Sequence, residues 1–204
     1  MSPKTPKKIV GLSTNQKTLK RVLDVVLSLT LIPIFILPVS ILIILATLDT
    51  KIFGLFFQNR VGQYGKEFTI YKIRTYNRNG EVSKFSKKIR NYKLDEIPQI
   101  FNILLGQMSF VGPRPDVLEV MSTLSRSDQV ILSIKPGLTG PASLHYFNEE
   151  AILAEQEDPI AYTNQILTPK KNAINKDYIK NYHIFNDVNY IYKTTLHVFQ
   201  NMAL

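Results

Sequence analysis

From Val22 to Leu48 the chain carries one charged residue, Asp24, in a run made mainly of Leu, Ile and Val. A run of that length reaches across the hydrocarbon core of a bilayer. It does not match a secretory leader, because it is too long for one and is followed by Asp49-Thr50-Lys51 rather than by a small-residue cleavage site. Pro33 and Pro38 lie near its middle, and each removes a backbone hydrogen bond and tends to bend a helix. Both flanks are basic, with Lys4, Lys7, Lys8, Lys17, Lys20 and Arg21 before the run and Lys51, Arg60 and Lys66 after it. Charge therefore gives no reason to place the two ends on opposite faces of a membrane. The expected arrangement is a re-entrant, kinked helix over residues 21–49 that enters and leaves by the cytoplasmic face. It follows a mobile basic tail at 1–20 and precedes a globular domain at 50–204. Kinked spanning helices also carry prolines, so a spanning arrangement stays open.

The chain of 204 residues has room for one domain with a real core. It has no cysteine, which excludes disulfides and thiolate metal sites, and its three histidines, His145, His183 and His197, form no zinc pattern. A net charge of +9 points to an anionic partner: nucleic acid, a membrane surface or a phosphorylated substrate.

The distribution of charge narrows this choice. Residues 60–93 hold ten Lys or Arg against Glu67 and Glu81. Within that region Leu55–Val61 and Lys66–Tyr76 are β-rich runs joined by Gly62-Gln63-Tyr64-Gly65, a hairpin pattern. Strand alternation puts Phe68, Ile70, Lys72 and Arg74 on one face, so two cations stand side by side as a grip for phosphate. The sequence has no recognisable nucleic-acid motif, and with a membrane segment present nucleic acid is set aside.

Directly after this basic field comes Arg90-Asn91-Tyr92-Lys93-Leu94-Asp95-Glu96-Ile97-Pro98-Gln99. Ile97, Ile100, Phe101, Ile103 and Leu104 recur at helical spacing and stop at Gly106, which makes Asp95 the expected N-cap of a helix. Pro98 fits a first turn, where the backbone N–H groups have no internal partner. Two carboxylates thus sit at the positive end of a helix dipole. Acidic residues at helix starts ordinarily do no more than cap. Here Arg90 and Lys93 precede the pair and Arg114 follows between Pro113 and Pro115, a stiff support for a planar, phosphate-matching fork.

The order Lys72-Ile73-Arg74-Thr75, Arg90 through Gln99, Asn102-Ile103-Leu104, Met108 through Pro115, and Lys135-Pro136-Gly137-Leu138-Thr139-Gly140 resembles the bacterial sugar transferases. These are small monotopic polyprenyl-phosphate phosphoglycosyltransferases, and the likeness runs from about residue 18 to near the C-terminus. The resemblance implies that Asp95 is a nucleophile displacing UMP from a UDP-sugar, leaving a sugar phosphate on the enzyme for transfer to polyprenyl phosphate, undecaprenyl phosphate above all. Glu96 would be a general base or a positioning carboxylate, and Asp95 would also bind Mg²⁺. Lys72, Arg74, Arg90 and Arg114 would neutralise phosphate charge. The membrane break would fall at Pro38, where the family's Ser-Pro pair is replaced by Leu37-Pro38. The expected setting is the inner membrane and its lipids, with the catalytic domain on the cytoplasmic face. Whether copies associate into a homo-oligomer is open. In one departure, Phe147 stands where the pattern has an arginine, and His145 is the candidate substitute.

The expected fold is α+β and mostly helical, with one short hairpin. Val117, Val120, Met121 and Leu124 suggest a helix after Pro115, and Glu149, Glu150, Glu155, Glu157 and Asp158 suggest a solvated acidic face. Phe185, Val188, Tyr192, Leu196 and Phe199 form a helical stripe, ordinarily one packed against the core, alternatively one lying at a membrane interface. Two rival functions use the same features: a catalytically silent scaffold binding anionic lipid, and a glycosyltransferase that moves only the sugar and releases UDP.

Overall fold

The computed structural model describes residues 11–118 and 124–202. The long apolar run forms a single helix, α1 (Thr14–Thr50), opened by a capping box in which the Ser13 hydroxyl accepts from the Gln16 N–H and the Gln16 side chain accepts from the Ser13 N–H. At 37 residues it is about 55 Å long. It begins seven residues earlier than expected, absorbing Lys17 and Lys20 from the supposed tail. The interruption expected at Pro38 is absent. Each proline removes one donor, but the remaining ladder persists around it, and the Thr30 and Ser40 hydroxyls donate to carbonyls four residues back within the helix.

Both ends of α1 are fastened to the globular part. Near its start, Arg21 donates to the carbonyls of Ile103 and Leu104, both at 2.6 Å, and Asp24 Oδ1 accepts from Ser109 Oγ and the Phe110 N–H, both at 2.9 Å. Near its finish, Asp49 Oδ2 accepts from the hydroxyls of Ser83 and Ser86 at 2.7 Å. The chain then turns through Lys51, whose φ of 58° lies in the left-handed region, and Gly54 passes so close beneath the helix that a Cβ there would lie 2.0 Å from the Ile43 carbonyl oxygen. Only a glycine fits there.

The hairpin forms as its pattern suggests: β1 (Leu55–Val61) pairs antiparallel with β2 (Glu67–Ile73), Leu55 opposite Ile73 and Val61 opposite Glu67. Phe68 and Ile70 turn inward. They meet Ile100 and Ile103 of α3 (Gln99–Leu104), Met108, Phe110 and Val111 around β3 (Ser109–Val111), and Tyr178 and Ile179, which follow later in the chain. An eight-residue helix, α2 (Lys84–Asn91), links the hairpin to this core.

The Pro/Gly segment at 135–140 is more than a turn. Gly137–Thr139 is a strand, β4, parallel to β3, with Ser109 opposite Gly137 and Val111 opposite Thr139. Short helices α4 (Pro141–His145), α5 (Glu149–Ala154) and α6 (Pro159–Tyr162) lead through a π turn at Thr163–Leu167 into α7 (Thr168–Lys180) and then α8 (Ile184–Met202). The helix expected after Pro115 lies largely outside the described residues. The acidic stretch is not wholly solvated: Glu149 pairs with Lys171, and Asp158 caps α6 by accepting from the Ile160 and Ala161 N–H groups.

On α8 the stripe faces outward. Phe185 is 73% exposed, Tyr192 61% and Phe199 63%, so packing against the core is not its role. The inward face carries Asp187, which is buried, and Thr194, whose hydroxyl meets that of Thr139 at 2.6 Å.

Candidate active site

Asp95 and Glu96 lie in a 3-10 turn, Leu94–Glu96, introduced by Lys93 at φ 55°. Asp95 is therefore not the N-cap of α3. That position belongs to Pro98, whose own backbone is already helical and whose side chain caps nothing. The physical reason is the proline: its fixed φ starts the helix at its own position, leaving the carboxylates one turn upstream with their side chains uncommitted to backbone N–H groups. The turn is held in register by Asn102, which is fully buried. Its amide donates to the Thr69 carbonyl at 2.7 Å and its oxygen accepts from the Tyr71 N–H at 3.1 Å, pinning α3 to β2.

This brings Lys72 to Glu96, Nζ to Oε1 at 3.0 Å. Arg114 reaches the same oxygen with Nη2 at 2.6 Å. The loop carrying Arg114 is fixed by close backbone packing, since a Cβ on Gly112 would lie 2.5 Å from the Lys135 carbonyl oxygen, and one on Gly140 would lie 2.2 Å from that of Gly112. Between these cations is a small polar cleft lined by Arg60, Lys72, Gln99 and Arg114. Arg60, counted in the sequence only as part of the basic field, donates to Gln58 Oε1 at 2.7 Å and to the Pro115 carbonyl at 3.3 Å. Its even spacing from Gln58 on β1 was the available signal.

The two carboxyls have opposite electrostatics. Burial, and then the neighbouring Glu96 charge, push Asp95 up to about 6 against the pull of Lys72, Arg90 and Lys93. Burial acts on Glu96 too, but Arg114 and Lys72 outweigh it and hold that carboxylate well below the usual range. Glu96 in turn raises Arg114. A carboxylate so tightly paired is a poor proton acceptor. Asp95 is 8% exposed and makes no hydrogen bond or ion pair among the described residues.

Two expected cations stand apart from Glu96. Arg74 lies just past the end of β2, stacks on Phe56 at 5.2 Å and donates to the Phe53 carbonyl at 2.9 Å. Arg90 donates to the Tyr76 hydroxyl at 2.7 Å and contributes to the field at Asp95. His145 is exposed and packs edge-on against Tyr146. Among the described residues no three carboxylate or imidazole groups converge to hold a metal. Mg²⁺ does not need such a cage, because it keeps water ligands and binds through one or two carboxylates plus substrate phosphates. Asp95, buried yet with no protein hydrogen bond among the described residues, fits as that carboxylate.

The family model described as bacterial sugar transferase matches residues 15–201. Among curated proteins, the chain is 32% identical over 201 residues to the UDP-glucose:undecaprenyl-phosphate glucose-1-phosphate transferase of Klebsiella pneumoniae, covering 90% of this chain and 41% of that protein. It is 29% identical over 192 residues to the UDP-N-acetylgalactosamine-undecaprenyl-phosphate N-acetylgalactosaminephosphotransferase of Aeromonas hydrophila, covering 86% and 42%. To the Escherichia coli K12 UDP-glucose:undecaprenyl-phosphate glucose-1-phosphate transferase it is 29% identical over 218 residues, covering 98% and 44%. The chain thus spans less than half the length of these relatives. A family match over nearly the whole chain, on a fold that sets the Asp95-Glu96 pair against Lys72 and Arg114, establishes that the chain belongs to the bacterial sugar transferase family.

Proposed function

We propose that the protein transfers a sugar-1-phosphate from a UDP-sugar to polyprenyl phosphate, undecaprenyl phosphate in the first instance, with release of UMP. Asp95 attacks the phosphorus that bears the sugar. The bond from that phosphorus to the bridging oxygen breaks, UMP leaves with the oxygen, and an aspartyl phosphosugar remains. A phosphate oxygen of the lipid then attacks the same phosphorus, and the Asp95 carboxylate departs. Lys72 and Arg114, locked in place by Glu96, offer their remaining donors to phosphate oxygens. Mg²⁺ held by Asp95 would neutralise charge on the diphosphate.

The observation that carries this reading is the contrast inside the pair: a buried Asp95 with no hydrogen bond among the described residues beside a Glu96 fully occupied by two cations. The membrane setting is supported by α1, the helix long and apolar enough to cross a bilayer, and by the outward apolar stripe of α8. We place both at the inner membrane, with the active site on its cytoplasmic face.

The test is to incubate the protein with Mg²⁺ and UDP-glucose or UDP-N-acetylgalactosamine without lipid. At most one UMP per protein should appear, with the mass of a sugar phosphate on the Asp95 peptide. Asp95→Asn should lose both signals, and Glu96→Gln should slow turnover without moving the adduct. Release of UDP, or no nucleotide until lipid is added, would overturn the covalent route.

A further inference from the structure

Lys93 is a non-glycine residue in the left-handed region, at φ 55° and ψ 21°, two positions before Asp95. A long side chain gains nothing from that conformation, which costs about 1 kcal/mol and persists where the surroundings impose it. Here the surroundings are an aromatic seat. The Lys93 ammonium sits over the ring of Phe147, 5.5 Å from its centre, and Phe147 is backed by His197 of α8, with ring centres 4.7 Å apart. Three separate parts of the chain therefore meet to place one cation beside the carboxylates.

That cation differs from its neighbours in how it is occupied. Lys72 and Arg114 are both bound to Glu96, and Arg74 is bound to the Phe53 carbonyl. Lys93 makes no hydrogen bond or ion pair among the described residues, although its charge is felt at Asp95. A ring face attracts an ammonium without consuming its N–H donors in strong hydrogen bonds, so those donors stay available.

We propose that Lys93, seated on Phe147, is a further substrate-binding residue that donates to the diphosphate of the UDP-sugar, with Phe147 as the positioning residue that aims it. This rests on the function proposed above. Once Asp95 is near enough to attack phosphorus, the oxygens of that phosphate lie in the region that Lys93 already charges. Preorganisation is the gain: a lysine left in solvent would lose rotamer freedom on meeting the ligand, whereas a seated one has already lost it.

The experiment measures calorimetric binding of UDP and of uridine, with Mg²⁺, to the full chain in detergent. Lys93→Asn removes the ammonium but keeps a residue that tolerates the left-handed backbone, so its Tm should match the wild type. Its affinity for UDP should fall about tenfold or more, the size of one charge-assisted hydrogen bond, while uridine binding stays unchanged. Phe147→Leu should weaken UDP binding in the same direction by a smaller factor, and should have no further effect in the Lys93→Asn background. Lys93→Arg should keep most of the affinity. Equal UDP binding by wild type and Lys93→Asn would overturn the proposal while leaving the function standing. So would a loss accompanied by a matching loss for uridine or a fallen Tm that Lys93→Arg does not restore. Wild-type protein that binds no UDP would overturn the functional reading itself, and the proposal with it.

Discussion

Two buried charge clusters in this protein are built to opposite rules. Where α1 meets α8, Lys20 donates to Asp187 at 2.6 Å, and the same carboxylate accepts from the hydroxyls of Tyr178 and Tyr182, whose rings also flank the ammonium. Every charge there is satisfied. In the active site, Glu96 is satisfied, but Asp95 beside it and Lys93 next to it are left without hydrogen-bond partners among the described residues. The carboxylates of both clusters are buried, so what separates those groups is completeness rather than burial. A closed network holds two helices together, whereas an open one stores unmet electrostatic demand for a ligand to answer.

The comparison breaks if the two clusters respond alike to loss of charge. Lys20→Met leaves Asp187 buried without its cation and should destabilise by about 3 kcal/mol or more, read from denaturant unfolding in detergent. A loss under about 1 kcal/mol would show that the tyrosines alone satisfy Asp187. Asp95→Asn should have the opposite sign, but only in one pH window. The folded carboxyl keeps its proton up to about pH 6, whereas in the unfolded chain it is lost near pH 4, so its contribution is present at low pH and lost as pH rises through 6. Above pH 7 the variant should be more stable than wild type by about 3 kcal/mol, and near pH 4 the two should nearly coincide. By the same ionisation, wild-type kcat/KM for UDP-sugar should fall below about pH 6, and a profile flat to pH 5 would remove Asp95 as the group that must be charged. The smallest effect is expected from Arg21→Lys, which replaces a fork serving two carbonyls with a point donor and should cost about 1 kcal/mol.

The hairpin and α3 were legible because their patterns are local: alternation in Phe68 and Ile70, helical spacing in Ile100 and Ile103. The carboxylate pair and Arg114 were legible as residue types in order, and the structure adds that both Lys72 and Arg114 converge on Glu96. What was hidden depends on distant partners or on solvent. Lys20 and Asp187 are separated by 167 positions, and a lysine in a basic segment gives no sign of being buried. Strand β4 is three residues long, too short for periodicity, and its Gly137 with the following Gly140 looked like turn residues when they mark close backbone approach. The stripe of α8 kept two readings open, core packing and a membrane interface, because a pattern names an apolar face without naming what covers it, and its exposure removes the first. Arg74 was placed by extending alternation one residue beyond the last one in β2. Lys93 drew notice only as a charge, since a left-handed lysine has no sequence signature.

The fastenings of α1 carry a topological consequence. Arg21 and Asp24 are tied to α3 and β3, Asp49 is tied to Ser83 and to Ser86 of α2, and all of these belong to one packed body. A helix joined at both ends to the same polar body cannot deliver those ends to opposite faces of a bilayer. Cysteines introduced at Lys7 and Gln58, in a chain that has none, should therefore be labelled from the same side of sealed membranes, and labelling from opposite sides would show that one fastening opens in the lipid. In the proposed membrane setting this would constrain biogenesis in turn: the polar part would close around both helix ends on the side where it is made, and none of its charged loops would need to pass through hydrocarbon.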